Sequence, residues 1–149
     1  MPHHQTKNMI EPQPYILLID DDEDDLEMFS SGLEKKGVKV KTFDSSTKAL
    51  FYLTLMADNK EAPSLIIMDY NMPKKNGLQV LILIKDNADT KNIPVVMYST
   101  SMSDSLRKQL LDAGALDCFS KPWNRKELNT QVEIFQELTA SFNSNKILA

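Results

Sequence analysis

Apolar runs and helical stretches alternate along the chain. Tyr15 to Ile19 is a short unbroken apolar run, the pattern of a strand buried on both faces. Leu26, Phe29 and Leu33 follow at helical spacing, with Gly37 as the expected stop. Over 38–43 apolar residues alternate with lysine, which suits an edge strand whose charges discourage pairing with other chains. Asp44, Ser45 and Ser46 offer caps to a helix over 47–59. Residues 64–68 and 94–99 read as two more buried strands. Ser103 or Asp104 caps a helix with Leu106, Leu110 and Ala113 on one face, and Gly114 ends it. Residues 117–120 make a short last strand. Asn124 and Glu127 form a box-like cap for a final helix striped by Leu128, Val132, Phe135 and Leu138.

The stretch GLQVLILIKD, residues 77–86, is ambiguous by itself. Its β-branched Val80, Ile82 and Ile84 favour strand on propensity alone. The surrounding alternation demands a crossover there, so it is predicted as helix. The chain then consists of five strand–helix units, which pack as an α/β fold with a parallel sheet covered on both faces. The three fully apolar strands belong in the middle. The lysine-striped second strand and the short fifth belong at the edges. The order 2-1-3-4-5 satisfies this, with the site outside the carboxyl ends of the strands.

Composition narrows the possibilities. With 149 residues, 42% apolar, the chain suits one domain with a core of its own. A net charge of −4 argues against unaided binding to nucleic acid. Cys118 is the only cysteine, so no internal disulfide forms, which fits a reducing, cytoplasmic setting. No apolar run approaches membrane-spanning length, and the start, MPHHQTKNMIEPQP, carries no apolar core of a signal peptide. Residues 1–13 read as a flexible leader, with His3 and His4 too few to suggest a metal site. Residues 140–149 read as a loosely ordered tail, leaving a single domain over 14–139.

The chemistry lies at the predicted strand ends. The first strand delivers Asp20 and Asp21, the third Asp69, the fourth Ser99 and Thr100, and the fifth Lys121 and Pro122. Clustered carboxylates take up protons unless cations neutralise them. Lys121 supplies one positive charge, and a hard divalent cation such as Mg2+ suits the remaining oxygens. Asp22 to Asp25 continue the acidic run into the N-terminus of the first helix, where the dipole tolerates them. A carboxylate can attack phosphorus to form an acyl phosphate, and cation, ammonium and hydroxyl together stabilise the charge that develops.

These residues, in the motifs ILLIDDD, LIIMDYNMPKKNG, IPVVMYSTS and DAGALDCFSKPW, resemble the receiver domain of two-component response regulators, the CheY-like family. The resemblance covers 14–139 and implies a flavodoxin-like (βα)5 fold. It implies Asp69 as phosphoacceptor, and Asp20, Asp21, Asp69 and the backbone carbonyl of Asn71 around Mg2+. Ser99 resembles the hydroxyl that turns toward the phosphoryl group, and Lys121 the lysine that pairs with it. The Lys121–Pro122 bond is expected to be cis by the same analogy. Asn71 and Ser101 flank the path of a hydrolytic water. The implied donor is a phosphohistidine on a sensor kinase or phosphotransfer protein. The implied output is an altered protein-binding face on the last two helices and fifth strand, in a monomer or weak dimer. Such a domain is no enzyme beyond assisting its own phosphorylation and dephosphorylation.

Three features depart from the pattern or compete with it. The family usually has Tyr or Phe at the position of Cys118; here the aromatic is Phe119, which alternation points the other way. Thr100 stands where a smaller residue is common and narrows access to the phosphoryl group. Trp123 fits either core or partner surface. The acidic run fails as a calcium loop, because Asp25 stands where glycine is needed and Ser31 where glutamate is needed. An aspartate-nucleophile phosphatase would carry its nucleophile on the first strand, not the third. The surviving alternative is a receiver-like module that binds proteins without phosphorylation.

Overall fold

The computed structural model describes residues 13–56 and 61–148, with side chains described through residue 142. The five predicted runs form strands β1 (Tyr15–Ile19), β2 (Lys39–Phe43), β3 (Leu65–Asp69), β4 (Val95–Ser99) and β5 (Asp117–Ser120). Between and after them lie helices α1 (Glu23–Lys35), α2 (Ser46–Met56), α3 (Gly77–Asp86), α4 (Asp104–Asp112) and α5 (Arg125–Leu148). All strand pairs are parallel, in the order β2-β1-β3-β4-β5. β1, β3 and β4 are buried throughout, while β2 and β5 alternate in exposure at the edges. The unbroken apolar runs therefore occupy the strands that helices cover on both faces.

Strand alternation divides the core into two layers. Leu17, Ile19, Met68, Met97 and Cys118 pack beneath α2, α3 and α4. Ile16, Leu18, Ile67, Tyr98 and Phe119 face α1 and α5, where Phe29 and Phe135 meet them. Ser103 caps α4 as expected, and Ser45 Oγ accepts from Lys48 N at 3.2 Å at the start of α2. At α1 the Asp22 carboxylate accepts from Asp24 and Asp25, a cap the sequence pattern did not single out. At α5 Asn124 accepts from Glu127 N, and Glu127 returns a bond to Trp123 N rather than to Asn124 N, one residue earlier than an ordinary box.

The ambiguous stretch is a helix for identifiable reasons. Asn76 and Gln79 form a reciprocal capping box, which satisfies two donors at the start of α3. Val80, Leu81 and Ile84 fall on the buried face, while Ile82 and Leu83 turn outward. Helical periodicity spreads an apolar run around the axis, so some of it must face solvent. Gly77 permits the entry: a Cβ there would stand 2.6 Å from Met97 Cε, 2.7 Å from Tyr70 Cα and 2.8 Å from Asp69 O.

Two expectations need correction. The Lys121–Pro122 peptide is trans, as are all peptides among the described residues. Trans is the ordinary preference of an X–Pro bond, and Lys121 is already held at the strand end by its own N–H, which donates to Ser99 O at 2.9 Å. The tail expected to be loose over 140–149 instead continues α5 to Leu148. No glycine or proline interrupts that stretch, so nothing stops the helix at 139. His3, His4 and the leader up to residue 12 lie outside the described residues.

Gly77→Ala is expected to lower unfolding free energy by about 1–3 kcal/mol, because the added methyl meets backbone atoms that cannot rotate away. Urea denaturation monitored by circular dichroism checks this.

Candidate functional site

The carboxyl ends of β1, β3, β4 and β5 deliver the predicted residues to one rim. Asp20 follows β1 directly and is fully buried; Asp69 ends β3 and is 1% exposed. Asp21, the next residue, is exposed to solvent. One carboxylate oxygen from each of Asp20, Asp21 and Asp69 lies within 4.8 Å of the others. Lys121 reaches in from beyond β5. Its Nζ stands 2.7 Å from Asp25 Oδ2 and 3.3 Å from both Asp20 Oδ2 and Asp69 Oδ2.

Backbone and hydroxyl donors fix the remaining oxygens. Asp22 N donates to Asp20 Oδ1 at 2.9 Å, and Asn71 N to Asp69 Oδ1 at 3.1 Å. The Tyr98 hydroxyl donates to Asp20 Oδ2. Ser99, at the end of β4, is buried beside this cluster. Its Oγ accepts from Asn71 Nδ2 at 3.1 Å and from Ser101 N at 3.3 Å. Asn71 Nδ2 also reaches Thr100 Oγ1 at 3.3 Å. The Asn71 side chain thus ties the loop after β3 to the loop after β4.

Crowded carboxylates with little solvent hold protons more tightly. Burial, and then the charge of Asp20, push Asp69 up to about 7. The Asn71 N–H and Lys121 work against that rise but do not cancel it. Burial acts to lower Lys121, yet the Asp25 hydrogen bond and the charges of Asp20, Asp69 and Asp25 prevail and hold it above the ordinary lysine range. Tyr98 is held well above the ordinary phenol value by burial and by Asp20, so it remains a donor.

Three carboxylates of suitable spacing are present, and Asp21 makes no hydrogen bond or ion pair among the described residues. Four acids face one ammonium, so the donor set favours a hard divalent ion with oxygen ligands. All predicted rim residues meet here except Pro122, which follows Lys121 into the loop before α5, and Cys118. Cys118 is buried in the layer under α2, α3 and α4. Phe119 points to the opposite layer, its ring 5.5 Å from that of Phe135, as alternation predicted. Trp123 is 85% exposed, which places it on the surface rather than in the core.

Two members of the site went unrecognised in the sequence. Asp25 was read only as part of a helix-start run; one turn of α1 swings it back onto Lys121. Tyr98 has the pattern of an ordinary buried-strand residue, and its length lets its hydroxyl reach the buried Asp20 two strands away.

Asp69 titration is expected to mark the stability of metal-free protein. The folded chain holds a proton at Asp69 up to about 7, against 3.8 for an ordinary aspartate. Its contribution is therefore present in full below the lower value and is lost as pH rises through the higher one. In a chelator, Asp69→Asn should melt close to wild type near pH ~4 and several degrees higher near pH ~8, as thermal unfolding would reveal.

Comparison with known proteins identifies the family. The family model described as the response regulator receiver domain matches residues 16–133. The two-component response regulator ORR3 of Oryza sativa is 36% identical over 117 residues, covering 78% of this chain and 86% of that protein. The crystal structure of the phosphorylated cyanobacterial phytochrome response regulator RcpA superposes with a TM-score of 0.76 at 30% identity, covering 87% of this chain and 95% of that one. The Mn(2+)-bound form of the response regulator Rcp1 gives a TM-score of 0.71 at 28% identity, covering 83% and 91%. With an acidic triad, a strand-end hydroxyl and a lysine meeting at the switch point of a five-stranded parallel sheet, the chain belongs to the receiver-domain family of two-component response regulators.

Proposed function

We propose that residues 14–139 accept a phosphoryl group on Asp69 from a phosphohistidine of a sensor kinase or phosphotransfer protein. The observation that carries this reading is the position of Lys121 Nζ, 3.3 Å from both Asp20 and Asp69 beside a third acid open to solvent. A buried carboxylate with an ammonium at its edge and a cation site at its side is built for attack on phosphorus.

In this reading an Asp69 oxygen forms a bond to phosphorus as the phosphorus–nitrogen bond of the donor breaks, and the electron pair leaves with the imidazole. Asp20, Asp21, Asp69 and the Asn71 backbone carbonyl would hold Mg2+, and the ion would supply positive charge against the phosphoryl oxygens. Lys121 exchanges its bond to Asp69 Oδ2 for a phosphoryl oxygen. Ser99 gives up its 3.4 Å hydrogen bond to Ser101 O to donate its proton to another. That exchange draws the loop after β4 toward the rim. Asn71, Thr100 and Ser101 border the same opening and set how readily water reaches the phosphoaspartate.

The output face in this reading comprises α4, β5 and α5. Phe119, Trp123, Gln131 and Ile134 line a groove of about 670 Å3 there. Gln131 Oε1 is buried on this face without a hydrogen-bond partner among the described residues. A partner that binds one state of the Ser99–Lys121 loops better than the other shifts the equilibrium by that difference. Among the described residues no helix is long and apolar enough to cross a membrane, and signalling by protein contact requires none.

Cys118 favours the second reading, a module that binds partners without phosphorylation, because the usual aromatic readout has no ring there. Incubation with acetyl phosphate and Mg2+ separates the two. Intact-mass measurement should find one added phosphoryl group on wild type and none on Asp69→Asn. Asp21→Ala should stay folded and raise the Mg2+ concentration for half-maximal labelling by at least about tenfold. An unlabelled wild-type chain supports the phosphorylation-independent module instead.

A further inference from the structure

We infer that Tyr98 is a positioning residue of the acidic site, engaging Asp20 Oδ2 and so setting how tightly the site takes a dication. The inference rests on the Mg2+ reading above and goes beyond the residues that reading uses.

The arrangement is specific. Asp69 and Tyr98 are register partners on β3 and β4, so Tyr98 stands beside the phosphoacceptor position. Its side chain enters the layer under α1 and α5, is fully buried, and packs edge-on against Phe29 with ring centroids 5.2 Å apart. The same register row continues to Asp20, which follows the Ile19–Met68 pair, so the ring reaches across β3 toward the end of β1. The hydroxyl meets Asp20 Oδ2, and Lys121 Nζ lies 5.1 Å from the ring centroid. Asp20 therefore has both oxygens engaged: Oδ1 by Asp22 N at 2.9 Å, Oδ2 by Tyr98 and, at 3.3 Å, by Lys121. Asp21 carries none of these restraints.

The sign of the effect follows from the dipole. A donating hydroxyl points its positive end at the acidic cluster. It stabilises the crowded carboxylates when no dication is present and opposes a dication when one is bound. Removing the hydroxyl raises the free energy of the metal-free site more than that of the loaded site. It also releases Asp20 Oδ2 for the ion. Both consequences tighten binding.

Phenylalanine keeps the buried ring and its packing on Phe29, so Tyr98→Phe isolates the hydroxyl. Titration calorimetry of the full chain with MgCl2 should give a dissociation constant about three- to tenfold lower for Tyr98→Phe than for wild type. A role confined to packing would weaken binding or leave it unchanged, and either result overturns the inference. A double-mutant cycle adds a second criterion. In an Asp20→Asn background the same substitution should leave Mg2+ affinity unaltered, whereas an undiminished effect there overturns a role exerted through Asp20. The two readings fail separately: equal affinities of wild type and Tyr98→Phe sink the Tyr98 role alone, while a wild-type chain with no measurable Mg2+ affinity sinks the cation site and this role together.

Discussion

The Lys121 ammonium, set among the carboxylates of Asp20, Asp25 and Asp69, is the contact on which the rim depends. Without a cation, acids this close in a buried setting repel and take up protons. One lysine compensates only part of the charge. The excess shows in the Asp69 carboxyl, pushed up to about 7. The site is thus under electrostatic tension, which added positive charge would relieve. A structure that tolerates this tension must hold its carboxylates by other means, and backbone N–H groups of Asp22 and Asn71 do so.

Topology brings these charges together from three separate stretches of the sequence, 20–25, 69 and 121. The parallel order β2-β1-β3-β4-β5 places β1 and β3 side by side, so the acids that end them converge. Residues one place apart on a strand then serve different layers. Tyr98 belongs to the α1 and α5 layer; Ser99, next to it, turns to the rim beside Asn71. The close approach at Gly77 keeps α3 tight against the end of β3, which fixes the loop bearing Asn71. Packing at that glycine and chemistry at Asn71 are therefore coupled through a few residues of chain.

The aromatic residues near β5 are distributed differently from the family's usual pattern. Cys118 fills the layer under α4, where a large ring would otherwise stand, while Phe119 packs on Phe135. An aromatic contact with the site exists all the same, on β4: Tyr98 touches Asp20 at one end and Phe29 at the other, and Phe29 lies 6.2 Å from Phe135. The rings join the acidic site to the α1 and α5 layer. They give this chain a physical connection on the face opposite Cys118.

Hydrophobic periodicity was enough to reveal the strands and most of the helices, because burial on two faces leaves an unbroken apolar run and burial on one face leaves a stripe. Asp20, Asp21, Asp69, Ser99 and Lys121 were legible as a set, since each sits just past a recognisable strand. The helix over 77–86 was legible only through its neighbours, its own β-branched residues arguing the other way. Asp25 and Tyr98 were not legible as site residues. An acid in a helix-start run and a tyrosine in a buried strand each have an ordinary local explanation, and their second role depends on distances across the sheet. The trans bond before Pro122 and the continuation of α5 past 139 were likewise decided by the folded chain. Local pattern reports which surfaces must be buried; which polar atoms meet across strands depends on register and side-chain reach, and those exist only once the sheet has formed.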